Sequence, residues 1–567
     1  MLEPMDIQSR RRLIRVAAGM EQADLVLKNA VYLNVFTESW MTGDIAIAEG
    51  RIAGAGSYEG EAERDVSGLR VVPGFIDGHI HLESSLLIPA MFAQCAVPHG
   101  TTSVVCDPHE FANVMGADGV RYILEATEGL PLDAFVMLPS CVPATEEDES
   151  FAELLAEDLE PLWGQPRVLG LAEMMNYPGV LAGNDAVLRK IAMAEERGRP
   201  VDGHAPCLTG SRLTAYIASG VRSDHECSTC EEGLEKLSQG QWIMIREGTA
   251  AQNLEALLPL LHTPCAARCL FVTDDKHPAE LLRDGHIDWM VRTAVKRGVE
   301  PVTALKVASW NAAMAFGLRD RGAIAPGYAA DLAVLDADYQ VCATIKDGCV
   351  VYDGRPISVC MPRVDARLSE MALHSFHMRP VEPEVFGCGG ELGVLSMVKG
   401  QIITTDGGMA GGVDVDRDLL KIAVLERHHL TGHVGVGYLY GYGLRRGAVA
   451  TSVAHDSHNL IVVGENDQDM ACAAERVRRL GGGIVLAQDG VIVGELPLPI
   501  AGLVTDWDSR RVNAALESLK GVAAEMGVHA GVDPFMTLSF MSLPVIPAMR
   551  VLTHGVFDVN GWRYVSR

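Results

Sequence analysis

The stretch "FIDGHIHLESS", Phe75 to Ser85, is a short apolar run that ends in His79 and His81 with one residue between them. Residues i and i+2 of a strand point to the same face, so two imidazoles aim at one point in space. Imidazole is the commonest metal ligand, and a strand end is a rigid place to hold a pair. A lone His-x-His can equally be two polar residues where a strand meets solvent. Four further apolar runs end in a residue of similar chemistry: Glu173 in "LAEMMN", His204 in "VDGHAP", His225 in "SDHE" and Asp274 in "FVTDDK". Any one of these is more simply a structural polar group. Four histidines and two carboxylates at equivalent positions of a repeating pattern imply one shared mouth. Donors of this kind suit divalent metal ions, and metal ions activate water for hydrolysis.

Such convergence requires a scaffold that gathers strand ends. Eight short apolar runs, "VVPGFIDGHIH", "TSVVCDP", "DAFVMLPS", "RVLGLAEMMN", "RPVDGHAP", "GVRSDHECS", "QWIMIRE" and "RCLFVTDDK", alternate with helical patterns such as "NDAVLRKIAMAEERG" and "HIDWMVRTAVKRG". Eight strand–helix units are the signature of a (β/α)8 barrel of the TIM type, whose functional groups sit at the C-terminal ends of strands. Near-continuous apolar runs fit strands covered on both faces. The text before and after the repeat is different. "ADLVLKNAVYLNVFTESWMTGDIAIAEGRIAGAG" and, after Gly322, "GAIAPGYAADLAVLDADYQVCATIKDGCVVYDGRP" alternate β-rich runs with hairpin turns. The expected organisation is therefore α/β: residues 1–70 and 322–368 form one small antiparallel β-sandwich, into which a catalytic barrel of residues 71–321 is inserted. Residues 369–567 mix strand-like runs with helices and read as a separate α+β domain.

At 567 residues the chain exceeds a single core. Its formal charge of −27 opposes nonspecific binding to nucleic acid or anionic membrane. There is no signal-peptide pattern at the N-terminus and no apolar stretch of about 18 residues that would span a membrane. Thirteen cysteines without a framework spacing fit reduced thiols in the cytoplasm.

"PGFIDGHIH" followed by strand-end His, His and Asp resembles the amidohydrolase superfamily. Within it, "HIHLESS", "DPHEFANVMG", "EMMNYPGV", "VDGHAP", "SDHECS" and "FVTDDK" look like bacterial adenine deaminase, as do "GHVGVGYLYGYG" and "VAHDSHNLIVVG" near the C-terminus. The resemblance covers almost the whole chain. It implies two divalent ions, Mn2+ or Fe2+, and hydrolysis of adenine to hypoxanthine and ammonia by attack of a metal-bound hydroxide at C6, a purine-salvage reaction. Carried over by residue, His79 and His81 bind the more buried ion and His204 and His225 the more exposed one. Glu173 bridges the two, and Asp274 binds the buried ion and shuttles the proton. Many relatives bridge their metals with a carbamylated lysine at the end of strand 4. The only lysine between His81 and His204 is Lys190, inside a helical pattern, so a glutamate takes that place here. This weighs against the hydantoinase and dihydroorotase branches.

A second acid should protonate the ring, and Glu83 and Glu226 are both candidates; each can instead be a solvated carboxylate or a partner of the histidines. His109 and Glu110 lie on a loop at the active face where substrate contacts belong, although Asp107-Pro108 is also a plausible helix start. His455 and His458, near Asp456, are open between metal binding, a lid over the mouth and a polar turn. Cys227 and Cys230 form a single C-x-x-C, without the second pair of a closed zinc site, and read as free thiols. The expected partners are the small-molecule substrate adenine and other copies of the chain in a homo-oligomer. The competing readings are another amidohydrolase acting on a cyclic amide or N-acetyl substrate, and a non-catalytic relative.

Overall fold

The computed structural model describes residues 5–249, 251–398, 401 and 403–566. Eight parallel strands carry the site: β1 (Phe75–Ile80), β2 (Thr101–Cys106), β3 (Asp133–Leu138), β4 (Val168–Met174), β5 (Val201–Gly203), β6 (Ser223–Asp224), β7 (Trp242–Arg246) and β8 (Cys269–Val272). Each coincides with one of the eight apolar runs, β2 starting one residue before its run. β1 to β5 pair in sequential order in one sheet, and β6 to β8 in another. Hydrogen bonds span both seams. The Arg222 N–H donates to the Val201 carbonyl at 3.2 Å, and the Asp274 N–H donates to the His79 carbonyl at 2.9 Å. The parallel sheet is thus curled, and the C-terminal ends of β1 and β8 are brought side by side.

The curl has a packing cause. One set of alternating side chains, including Ile76, Val105, Phe135, Leu169, Met244 and Leu270, forms a core of its own. The other set, including Val104, Val136, Val168 and Val201, packs in a larger cluster with the helices that follow the strands. Both faces are therefore covered, and every residue of β2 and β4 is buried. Between β5 and β6 the backbones approach so closely that a Cβ at Gly203 would lie 2.2 Å from the Ser223 carbonyl oxygen. Only glycine fits there. The two helices expected from their periodicity run Asp185–Glu196 and Ile287–Lys296, the first started by the Asn184 side chain accepting from the N–H groups of Ala186 and Val187.

Residues on either side of the repeat share one eight-stranded sheet. Leu332–Leu335 pairs antiparallel with Arg70–Pro73, so the two separated segments meet at Ala333 and Val72. Hairpin turns fall at Glu49-Gly50 and Asp347-Gly348, all with positive φ, as two-residue loops demand. The sheet is mixed, which corrects the antiparallel expectation. Gly60–Asp65 and Arg70–Pro73 lie end to end along one edge of the long strand Ala23–Asn34, both parallel to it. Two short strands in tandem can share one edge only by running in the same direction.

The C-terminal part holds a second eight-stranded sheet, flanked by helices Asp467–Leu480 and Ser509–Glu525, and a three-stranded antiparallel sheet over 549–566. The glycine run after Leu480 is a turn from helix to strand, with Gly481 at φ 73° closing the helix. The run "ELGVLSMVKG" forms the strand Leu392–Met397; its last two residues, Lys399 and Gly400, lie outside the described residues. This part docks against the strand-end loops: the Thr505 N–H donates to the Leu86 carbonyl, and Asn459 Nδ2 donates to the Glu149 carbonyl. Among the described residues no helix is long and apolar enough to cross a membrane.

Candidate metal centre

The six strand-end residues converge. His79 Nε2 and His81 Nε2 lie 3.6 and 3.1 Å from Asp274 Oδ1. Glu173 stands between His81 on one side and His204 and His225 on the other. Its Oε1 is 3.3 Å from His81 Nε2, while its Oε2 is 2.6 Å from His204 Nδ1 and 3.2 Å from His225 Nε2. All six are buried or nearly so, and His81, His204, His225 and Asp274 line one cavity. Asp274 adopts φ 59°, a left-handed conformation costly for a residue with a Cβ, and its N–H bond to the His79 carbonyl holds it there.

The donor set fits divalent ions. His81 Nδ1 donates to the Asp107 carbonyl at 3.1 Å, which leaves the lone pair of Nε2 facing the carboxylates. His79 Nδ1 likewise lies 3.3 Å from Asp202 Oδ2, and its Nε2 is buried with no hydrogen-bond partner. His79, His81 and Asp274 offer ligand atoms all within 4.8 Å of one another, as do His79, Glu173 and His225. Burial lowers the His79 and His204 imidazoles, yet the facing carboxylates outweigh it and raise them to about 10 and about 9. Metal ions, which need the neutral ring, would displace those protons. Burial alone would raise the Glu173 carboxyl, but His204, His225 and His81 hold it well below its usual range. Lys190 does not enter this cluster; its Nζ donates to the Ser140 carbonyl at 2.7 Å.

Arg246, at the end of β7, was not anticipated. Its Nη1 donates to Asp274 Oδ2 at 2.7 Å, and the same guanidinium forks onto Glu226, with Nη2 3.1 Å from Oε2. The signal available in sequence was positional only, since Arg246 ends its strand as Glu173 and Asp274 end theirs. Lys236 was also missed. Fully buried behind the site, its Nζ bonds Asp224, Glu232 and the Ala205 carbonyl, each at 2.8 Å, and so ties together the segments that carry His204 and His225.

The two candidate acids differ. Glu83 is buried, its Oε1 has no hydrogen-bond partner, and burial with the nearby Glu110 charge pushes its carboxyl up to about 8. Burial would raise Glu226 as well, but Arg246, His204 and His225 hold it below its ordinary value. His109 and Glu110 line the cavity, and the helix they begin, His109–Met115, is entered by Pro108 while Asp107 Oδ1 accepts from the His109 N–H. The cavity, about 480 Å3, is roofed from the C-terminal part by His455, Phe540, Leu543, Val545 and Pro547. Arg212, exposed, stands at its wall. Cys227 is buried, Cys230 half-buried, and both are free thiols, as are the other eleven cysteines.

Curled parallel strands with His, Glu and Asp at their C-terminal ends define an amidohydrolase, and residues 70–358 match the model of that family. Residues 399–562 match the adenine deaminase C-terminal domain. The chain is 46% identical to "Adenine deaminase 2" of Carboxydothermus hydrogenoformans, over 98% of each chain. It is 44% identical to the adenine deaminase of Desulfatibacillum aliphaticivorans over 98% of this chain and 99% of the relative. It is 42% identical to "Adenine deaminase 1" of Rhizobium meliloti over 99% and 100%. The chain belongs to the adenine deaminase family.

Proposed function

We propose that this chain hydrolyses adenine to hypoxanthine and ammonia with two divalent metal ions, manganese or iron by family resemblance. The observation that carries the reading is Glu173, whose Oε1 faces His81 while its Oε2 faces His204 and His225, where a bridging ligand belongs. His79, His81 and Asp274 would hold one ion and His204 and His225 the other, with Glu173 shared. Ions held there would supply an activated water as the nucleophile for C6. Asp274 is placed to accept a proton at its carboxylate and deliver it to the departing amine, with Arg246 fixing its outer oxygen. Glu83, whose Oε1 is free of protein partners, is the better ring acid; Glu226 is committed to Arg246. His109 and Glu110 contact the base, and the apolar roof of Phe540, Leu543 and Val545 gives a flat heterocycle a surface to lie on.

The further readings go with this one. The eight strands are a closed (β/α)8 barrel, residues 71–321, set in a β-sandwich of residues 1–70 and 322–368, with a C-terminal α+β domain from 369. Free thiols support a cytoplasmic enzyme. Ammonia release from adenine by manganese-loaded protein tests the function; a protein with both metals and no release would refute it.

A further inference from the structure

Glu110 comes from the helix that follows β2, yet its partners come from the C-terminal part of the chain. Its Oε1 lies 2.8 Å from His455 Nδ1, and its Oε2 lies 3.7 Å from His458 Nε2. Glu110, His455 and His458 are 1%, 4% and 0% exposed, so water does not compete for these contacts. Glu110 and His455 line the substrate cavity, and His458 stands behind them.

Three such donors could suggest a third metal, but the tautomer of His458 argues otherwise. The Ala454 backbone N–H donates to His458 Nδ1 at 3.1 Å. A backbone amide can only donate, so Nδ1 is the acceptor and the ring proton sits on Nε2, the atom facing Glu110. A protonated nitrogen presents no lone pair to an ion. It turns an N–H toward the Glu110 carboxylate 3.7 Å away, an electrostatic contact longer than a hydrogen bond. The segment is also held firmly: the His455 N–H donates to the Ser539 carbonyl at 2.7 Å, its ring stacks on Phe540 at 4.6 Å, and the Ser457 carbonyl accepts from His428 Nε2 at 2.8 Å.

We propose that His455 and His458 are positioning residues that aim the Glu110 carboxylate into the cavity as an acceptor for the N–H groups of the base, so that the C-terminal part completes the substrate site. The inference rests on the proposed function, because it takes the substrate to be a flat base with N–H donors. Adenine has such donors on its amino group and its imidazole ring. A contact made alike in ground and transition states is read in KM rather than kcat.

The test is a double-mutant cycle with steady-state kinetics on adenine, the metal content of each protein being measured. Glu110→Gln and His458→Leu should each raise KM about tenfold with kcat little changed and two metals retained, the size of one charge-assisted hydrogen bond. The combined variant should be no worse than Glu110→Gln alone, because His458 acts through Glu110. His458→Gln, which restores a side-chain N–H, should recover most of the loss. If His458→Leu fails to fold, His455→Leu replaces it in the same cycle. Additive effects, or a KM unchanged in the histidine-to-leucine variants, would overturn the inference while leaving the function standing. Wild-type protein with both metals and no activity on adenine would overturn the proposed function and this inference with it.

Discussion

Arg246→Met tests the arrangement around Asp274 most sharply, because it removes a charge and little volume. In the structure one guanidinium serves two buried carboxylates, Asp274 at 2.7 Å and Glu226 at 3.1 Å, and Asn253 steadies its Nε from 3.4 Å. A hydrogen bond to a charged group contributes about 1.5–3 kcal/mol. If the Asp274 bond serves only to orient the proton carrier, its loss should lower kcat/KM by roughly 10- to 100-fold, since 1.4 kcal/mol is tenfold. The stability effect is separate. Removing the guanidinium from two buried carboxylates should cost about 3–5 kcal/mol of folding free energy in the metal-free protein. Arg246→Lys should lie between, because a point charge cannot fork onto both partners. The assay is ammonia release from adenine beside elemental analysis and urea unfolding. An Arg246→Met protein within threefold of wild type, with both metals in place, would refute the role given to this residue.

Glu173→Gln should lose at least one metal ion per chain, read by elemental analysis, because a neutral amide cannot bridge two cations; full metal occupancy would contradict it. Asp274→Asn should keep the fold and lose about 10²–10⁴ in turnover, the worth of a positioned proton carrier; activity near wild type would mean another group moves the proton. Adenine should be turned over far better than adenosine or AMP beneath the Phe540–Pro547 roof, and equal efficiency on either would show that the pocket is misread. AMP is the harder case, since exposed Arg212 could meet its phosphate. Glu475, bonded by Arg478 and Arg479 and lowered to about 2, gives a pH test of stability. Its contribution is full above the unfolded value of about 4.3 and is lost as pH falls through about 2. Urea unfolding of Glu475→Gln should therefore show a deficit at pH 7 that shrinks toward pH 2; a deficit independent of pH would contradict this.

The convergence of the six residues was legible because each of them interrupts an apolar run at the same point of a repeat. Polar residues in such places stand out from the pattern that positions them. Arg246 was not legible for the opposite reason. In "QWIMIRE" a terminal Arg-Glu reads as an ordinary solvated strand end, and only the fold brings Glu226 and Asp274 to it. The strands themselves came through even where short: β6 has just two residues, and its place is set by the Gly203 contact as much as by its own sequence. The direction of pairing in the flanking sheet did not come through, since alternation marks a strand but not its neighbour. Nor did the roof. Glu110 and His455 are 345 positions apart (455 − 110), and no periodicity links them. The motif "HDSHN" signalled polar chemistry without saying what it would face.

The central claim is that catalysis depends on two metal ions held by these strand-end residues. It is tested most directly by adding Mn2+ stepwise to metal-free protein while following hypoxanthine formation from adenine and measuring bound metal. Activity should be absent at the start and rise to its plateau as the content reaches two ions per chain. Full activity in protein shown by elemental analysis to be free of metal would contradict the claim.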